Sequence, residues 1–139
     1  TPTLPAPLTV TGDVRVTLYV SSDAPDTDFM VRLCDVDEAG RSVKLADGIL
    51  AARFRNGFSA PEYLEPGKVE KLVIRTSKIS HCFLPGHRLR VSVTSGAKHF
   101  VFPNSNTKDA YNSTESRVAH NTVWHGGAAP SHILLHVER

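Results

Sequence analysis

The sequence predicts an all-β fold, a jelly-roll β-sandwich, on three observations. Apolar and polar residues alternate in several short runs, and turn-forming pairs recur roughly every 8 to 12 residues. No stretch of roughly ten residues or more keeps an apolar face at helical spacing. The 139 residues, 40% hydrophobic and 22% charged, have the balance of one globular domain spanning 1–139. Surface scaling gives such a chain a core that buries roughly 68% of its unfolded area, without metal or disulfide staples.

The first strand is read over Val14–Val20, where Val14, Val16, Leu18 and Val20 alternate with Arg15, Thr17 and Tyr19. Asp23-Ala24-Pro25-Asp26 breaks it, and Asp28–Val36 resumes with Phe29, Val31 and Leu33 on one face. After the turn at Asp37–Gly40, two strands are expected at Val43–Leu45 and Gly48–Arg55, parted by Asp47-Gly48. A loop over 56–66 follows, then strands at Val69–Thr76, Ser80–Phe83 and Arg88–Thr94, the last with Leu89, Val91 and Val93 inward. Phe100–Phe102 is a short apolar run and 103–117 a polar loop. Val118–Trp124 and Ser131–Val137 complete about nine strands. Loops as long as 56–66 and 103–117 can cross between two sheets, which favours a jelly roll over a meander. No internal repeat at a fixed period is visible.

Several function classes are disfavoured. The 16 basic residues are interspersed with 14 acidic ones and form no run, so nucleic acid is not expected as a partner. No stretch approaches the roughly 18 apolar residues of a membrane span, and the start, Thr1-Pro2-Thr3-Leu4-Pro5, has no signal-peptide pattern. Cys34 and Cys82 lie in strand-like apolar runs and are expected as buried free thiols, which fits a cytoplasmic origin. Gly57-Phe58-Ser59-Ala60-Pro61 fails the nucleophile-elbow pattern at its last position, so no catalytic residue is assigned. His132 and His136 on one strand would stand about 13 Å apart, too far to share an ion; no metal and no cofactor are expected. Asp35–Gly40 begins like a calcium loop but has Ala46 where the bidentate Glu belongs, so a hairpin turn is the better reading. Asn112-Ser113-Thr114 matches a glycosylation acceptor and is assigned no role.

A set of strings in fixed order spans essentially the whole chain. They are Asp26-Thr27-Asp28-Phe29, Arg32-Leu33-Cys34-Asp35-Val36-Asp37, Asp47-Gly48-Ile49-Leu50, Pro66-Gly67, Gly86–Val91, Asn104–Thr107 and Pro130-Ser131. Together they resemble the X-Pro dipeptidyl-peptidase C-terminal domain. That resemblance implies a non-catalytic jelly roll, galactose-binding-like, following an α/β-hydrolase domain that carries the catalytic serine, aspartate and histidine. Ala51 stands where the family usually has arginine, Gly96-Ala97 interrupts a serine-rich strand end, and Ser105 and Lys108 depart from the family's loop ending.

The resulting expectation is an accessory domain of a serine hydrolase acting on an ester or an X-Pro peptide. It is inactive alone, packs on the catalytic α/β-hydrolase domain of the same chain and shapes its pocket. A sandwich beside a hydrolase would present rim residues to the cleft. The candidates are His87, Arg88, Phe102, Asn104, Asn106, Trp124 and His125. His87 and Arg88 could equally hold neighbouring loops by hydrogen bonds. An exposed sheet edge is the expected contact of a homodimer. The alternative is an independent carbohydrate-binding module using Trp124 as a stacking platform; a stand-alone enzyme is a distant third.

Overall fold

The computed structural model describes residues 1–138 and is built almost entirely from antiparallel strands. They are β1 (Leu8–Gly12), β2 (Arg15–Ser22), β3 (Asp28–Val36), β4 (Ser42–Ala51), β5 (Glu70–Arg75), β6 (Ile79–Phe83), β7 (Arg88–Thr94), β8 (Asn121–Trp124) and β9 (His132–Leu134). Single 3-10 turns occupy Ala52–Phe54 and Ala110–Asn112.

Three sheets make two layers. One sheet runs β4-β3-β7; a second runs β5-β2-β8, with β9 also on β2; β1 and β6 form a third, two-stranded sheet. Val16, Leu18 and Val20 of β2 and Leu72 and Ile74 of β5 pack against Phe29 and Val31 of β3. Val10, Val14 and Phe83 pack against Leu33, Ala46 and Leu89, so the β1–β6 pair covers the other half of the β4-β3-β7 sheet. Val91 and Ile133 touch both clusters and join them into one core. Period-two alternation is what lets each strand contribute one apolar face to this interior.

Several sequence expectations are corrected. The first strand is not the one read at Val14–Val20: β1 precedes it, and its Leu8-Thr9-Val10 alternation pairs with β6 and buries Val10 completely. The expected break at Asp47-Gly48 is absent: β4 runs unbroken opposite β3, with a bulge where Leu33↔Ala46 gives way to Cys34↔Lys44. Asp47 is held by Arg32 and Lys44 at 2.8 Å each, and Gly48 serves close approach rather than turning. A β-carbon at Gly48 would collide with the carbonyl oxygen of Arg75, where the two layers meet. Phe100–Phe102 lies in a turn, with the amides of Phe100 and Val101 both donating to the Ala97 carbonyl. The last two strands are shorter than expected, and beyond β9 the chain returns to β1 through a Val10↔Val137 bridge. Val93 is exposed, and Cys82 lies on an exposed face of β6 rather than in the core; both cysteines are free.

Candidate functional site

Asp26-Thr27-Asp28 leads into β3 at one end of the sandwich, and all three residues are buried. Buried carboxylates require charge-assisted partners. The Ala52–Phe54 turn supplies the first, because the Ala52 amide donates to the Thr27 carbonyl at 2.9 Å and brings Arg53 alongside. The Arg53 backbone amide donates to Asp26 Oδ1 (3.0 Å) and its Nε to Oδ2 (2.8 Å). The same guanidinium reaches the Thr107 carbonyl at 3.1 Å and lies over the Tyr63 ring, 5.4 Å from its centre.

The polar loop closes over this pair. Asn104 Nδ2 donates to Asp26 Oδ2 at 2.7 Å and to Asp28 Oδ1 at 2.8 Å, spending both its hydrogens on the two carboxylates. The Asn104 side-chain oxygen accepts the Asn106 amide (2.9 Å) in an Asx turn, and Asn106 Nδ2 donates to the Arg117 carbonyl (2.8 Å). Tyr111 donates its hydroxyl to both oxygens of Asp28, at 3.0 and 2.9 Å. Among the described residues the non-glycine positions with positive φ are Asn106 and Ala110 in this loop and His99 in the turn that precedes it. Such conformations persist where surrounding contacts over-determine them, and they cluster at functional sites.

The one guanidinium here bonds Asp26 and not Asp28, and the residue opposite Asp28 across the β3–β4 ladder is the uncharged Ala51. Burial pushes the Asp28 carboxyl above its ordinary range, against the lowering pull of its Asn104 and Tyr111 hydrogen bonds. Burial, donation to Asp28 and the Asp28 charge all push the Tyr111 hydroxyl up, which keeps it a donor. A raised carboxyl binds its proton more tightly in the folded state. Its contribution to stability therefore declines as pH rises from the ordinary value of 3.8 through the raised folded one. Calorimetry between pH 3.5 and 6 should show the wild type losing thermal midpoint relative to Asp28→Asn as pH rises; a pH-independent difference would contradict the assignment.

Outside the network the surface turns apolar. Ile49, Phe100, Val101, Phe102 and Tyr111 line a shallow depression that reaches Asp28. Phe102 is 86% exposed and Phe100 58%, with the Lys44 ammonium 5.3 Å from the Phe100 ring centre. Contiguous exposed aromatics of this kind mark contact surfaces.

The sequence-derived candidates fall in three places. Phe102, Asn104 and Asn106 belong to the loop just described. His87 and Arg88 lie near the other end of β3, about 23 Å along the strand from Asp28. There Asp35 is clamped between His87 Nδ1 (2.8 Å) and His81 Nε2 (2.9 Å), and the His87 backbone bonds the Leu4 segment, whereas Arg88 is exposed. Trp124, 44% exposed, sits opposite Tyr19 on β2 and donates Nε1 to Ser21 Oγ at 3.0 Å, with His125 exposed beside it. Sequence reasoning missed Asp26, Asp28, Arg53 and Tyr111 as functional residues. The one available signal was an Asp-x-Asp pair opening a strand ahead of an Arg-bearing turn.

Among the described residues, the histidine–carboxylate pairs are His81–Asp35–His87 and His120–Asp23, and no serine hydroxyl bonds any of these imidazoles. No helix among them is long and apolar enough to cross a membrane.

Comparison with known proteins places this geometry. Cocaine esterase from Rhodococcus sp. (strain MB1 Bresler) is 39% identical over 138 residues, covering 97% of this chain and 24% of that protein. An aminopeptidase structure from the marine sediment archaeon Thaumarchaeota archaeon superposes with a TM-score of 0.94 at 29% identity, over 100% of this chain and 25% of that one. An α-amino acid ester hydrolase structure gives a TM-score of 0.94 at 26% identity, over 99% of this chain and 25% of that one. The chain thus spans about a quarter of the length of these relatives. The model of the X-Pro dipeptidyl-peptidase C-terminal non-catalytic domain matches residues 1–134. With its all-β architecture and its order of motifs, the chain belongs to the X-Pro dipeptidyl-peptidase C-terminal non-catalytic domain family.

Proposed function

We propose that this chain is the non-catalytic domain of a serine hydrolase acting on an ester or an X-Pro peptide, and that it packs on the catalytic α/β-hydrolase portion of the same polypeptide and shapes its pocket. The observation that carries this reading is the aromatic surface around Phe100 and Phe102, held on a strained loop by a buried polar network. A chain folding only for itself gains nothing from fixing such residues toward water, whereas burying each against a partner is worth about 1.5–3 kcal/mol. A second copy would pair through β4 or β7, the edges of the β4-β3-β7 sheet. The two free thiols support a reducing, cytoplasmic compartment. The half-exposed Trp124, its N–H fixed on Ser21, is the residue that the alternative reading of a sugar platform would use.

The test is the Phe100→Ser/Phe102→Ser pair in the full-length protein. Both side chains are largely exposed, so the domain itself should fold unchanged. The full-length protein is expected to lose several degrees of thermal midpoint and to show a lower kcat/KM toward acyl esters. A wild-type midpoint together with a wild-type kcat/KM would refute docking through this surface.

A further inference from the structure

We infer that the depression at Asp28 is a socket for a cationic side chain, a lysine or arginine that the catalytic portion of the polypeptide inserts between Phe100, Phe102 and Tyr111. The inference rests on the docking proposed above and adds the chemistry of the contact. Three observations carry it.

The first is charge. Asp26 and Asp28 face a single guanidinium, and Arg53 binds Asp26 directly while its other bond goes to the Thr107 carbonyl. Asp28 is held by neutral donors alone, Asn104 and Tyr111. A buried carboxylate with only neutral partners is a strong point of attraction for a cation.

The second is the carboxylate's remaining capacity. Oδ1 accepts from both Asn104 and Tyr111, whereas Oδ2 accepts from Tyr111 alone. An ionised carboxylate has about four acceptor sites, so Oδ2 can take another charge-assisted bond. Burial raises its pKa first, and the neighbouring Asp26 charge adds to that rise.

The third is the wall. Asp28 lines the same depression as Ile49, Phe100, Val101, Phe102 and Tyr111. Aromatic faces around a carboxylate suit an alkylammonium or guanidinium: the rings receive its stem and its charge, and the carboxylate receives its N–H groups. A neutral apolar plug would give Oδ2 no donor beyond the Tyr111 hydroxyl. An acidic plug would add a further negative charge.

The experiment uses the full-length protein with p-benzoylphenylalanine in place of Phe102, whose side chain is 86% exposed and whose replacement leaves the core intact. Irradiation followed by peptide mass spectrometry is expected to give a crosslink to a catalytic-portion segment carrying a lysine or arginine. Changing that residue to methionine should speed thermal inactivation of otherwise wild-type protein roughly 10-fold, but less than about 2-fold in an Asp28→Asn background, because contacting charges couple. A crosslink to the catalytic portion with no cation whose removal couples to Asp28→Asn would overturn the socket and leave the docking reading standing. A crosslink only to a second copy of the chain, or none, would overturn both.

Discussion

Arg53→Ala is expected to lower the stability of this domain by roughly 3–5 kcal/mol, the range for removing one partner of a buried ion pair. Asp26 has no solvent exposure, so truncating Arg53 leaves its Oδ2 with the Asn104 amide in place of a charge. The same truncation releases the Thr107 carbonyl and one of the ties on the 103–112 loop. For a domain of this size the loss corresponds to a fall of roughly 10–20 °C in thermal midpoint, which a calorimetric scan would read. The paired variant Arg53→Met/Asp26→Leu should recover part of that loss, since the cost lies chiefly in the orphaned charge. A fall of less than about 4 °C for Arg53→Ala would mean that water reaches Asp26 once the guanidinium is gone.

Phe29→Ala is expected to cost about 3–5 kcal/mol by emptying the space between the layers. Phe29 is 1% exposed on the central strand β3 and belongs to the cluster formed with Val16, Leu18, Val20, Leu72 and Ile74. Most of that cluster is contributed by strands, with Leu64 of a loop and Ala52 of a 3-10 turn beside them, so the cavity can close only in part. Urea unfolding should show the midpoint falling with the slope unchanged, because the surface exposed on unfolding is nearly the same. Phe102→Ala gives the contrast: equally large but 86% exposed, it should move the stability of the domain itself by no more than about 0.5 kcal/mol.

What was legible in the sequence is what strand periodicity writes. The β2 and β3 runs show because alternating Val, Leu and Phe mark a face wherever they sit in the chain. β4 was divided in error because Asp-Gly signals a turn locally, while its actual role, a close approach to Arg75, depends on a strand more than 20 residues further on. The site was half legible. Phe102, Asn104 and Asn106 stood out as loop residues, but their partners did not. Asp26 and Asn104 are 78 positions apart and Asp28 and Tyr111 are 83, so only the folded sheet order brings them together. Buried polar networks carry no periodicity, and a solvated surface aspartate is spelled with the same letters.

The placement of β2 between β5 on one side and β8 and β9 on the other has a kinetic consequence. The Ser21–Trp124 bond closes a separation of 103 residues, and the Tyr19–Ser131 bond one of 112. At a synthesis rate of about 5–20 residues per second, β2 waits roughly 5–20 s on the ribosome before its last neighbours exist. Non-local pairing of this kind is slow even once the whole chain is present. Until then one edge of β2 stays open, a strand bearing Val16, Leu18 and Val20. Early β2–β5 pairing covers only the opposite edge, so until β8 and β9 arrive this one is open to pairing with another molecule unless something else shields it.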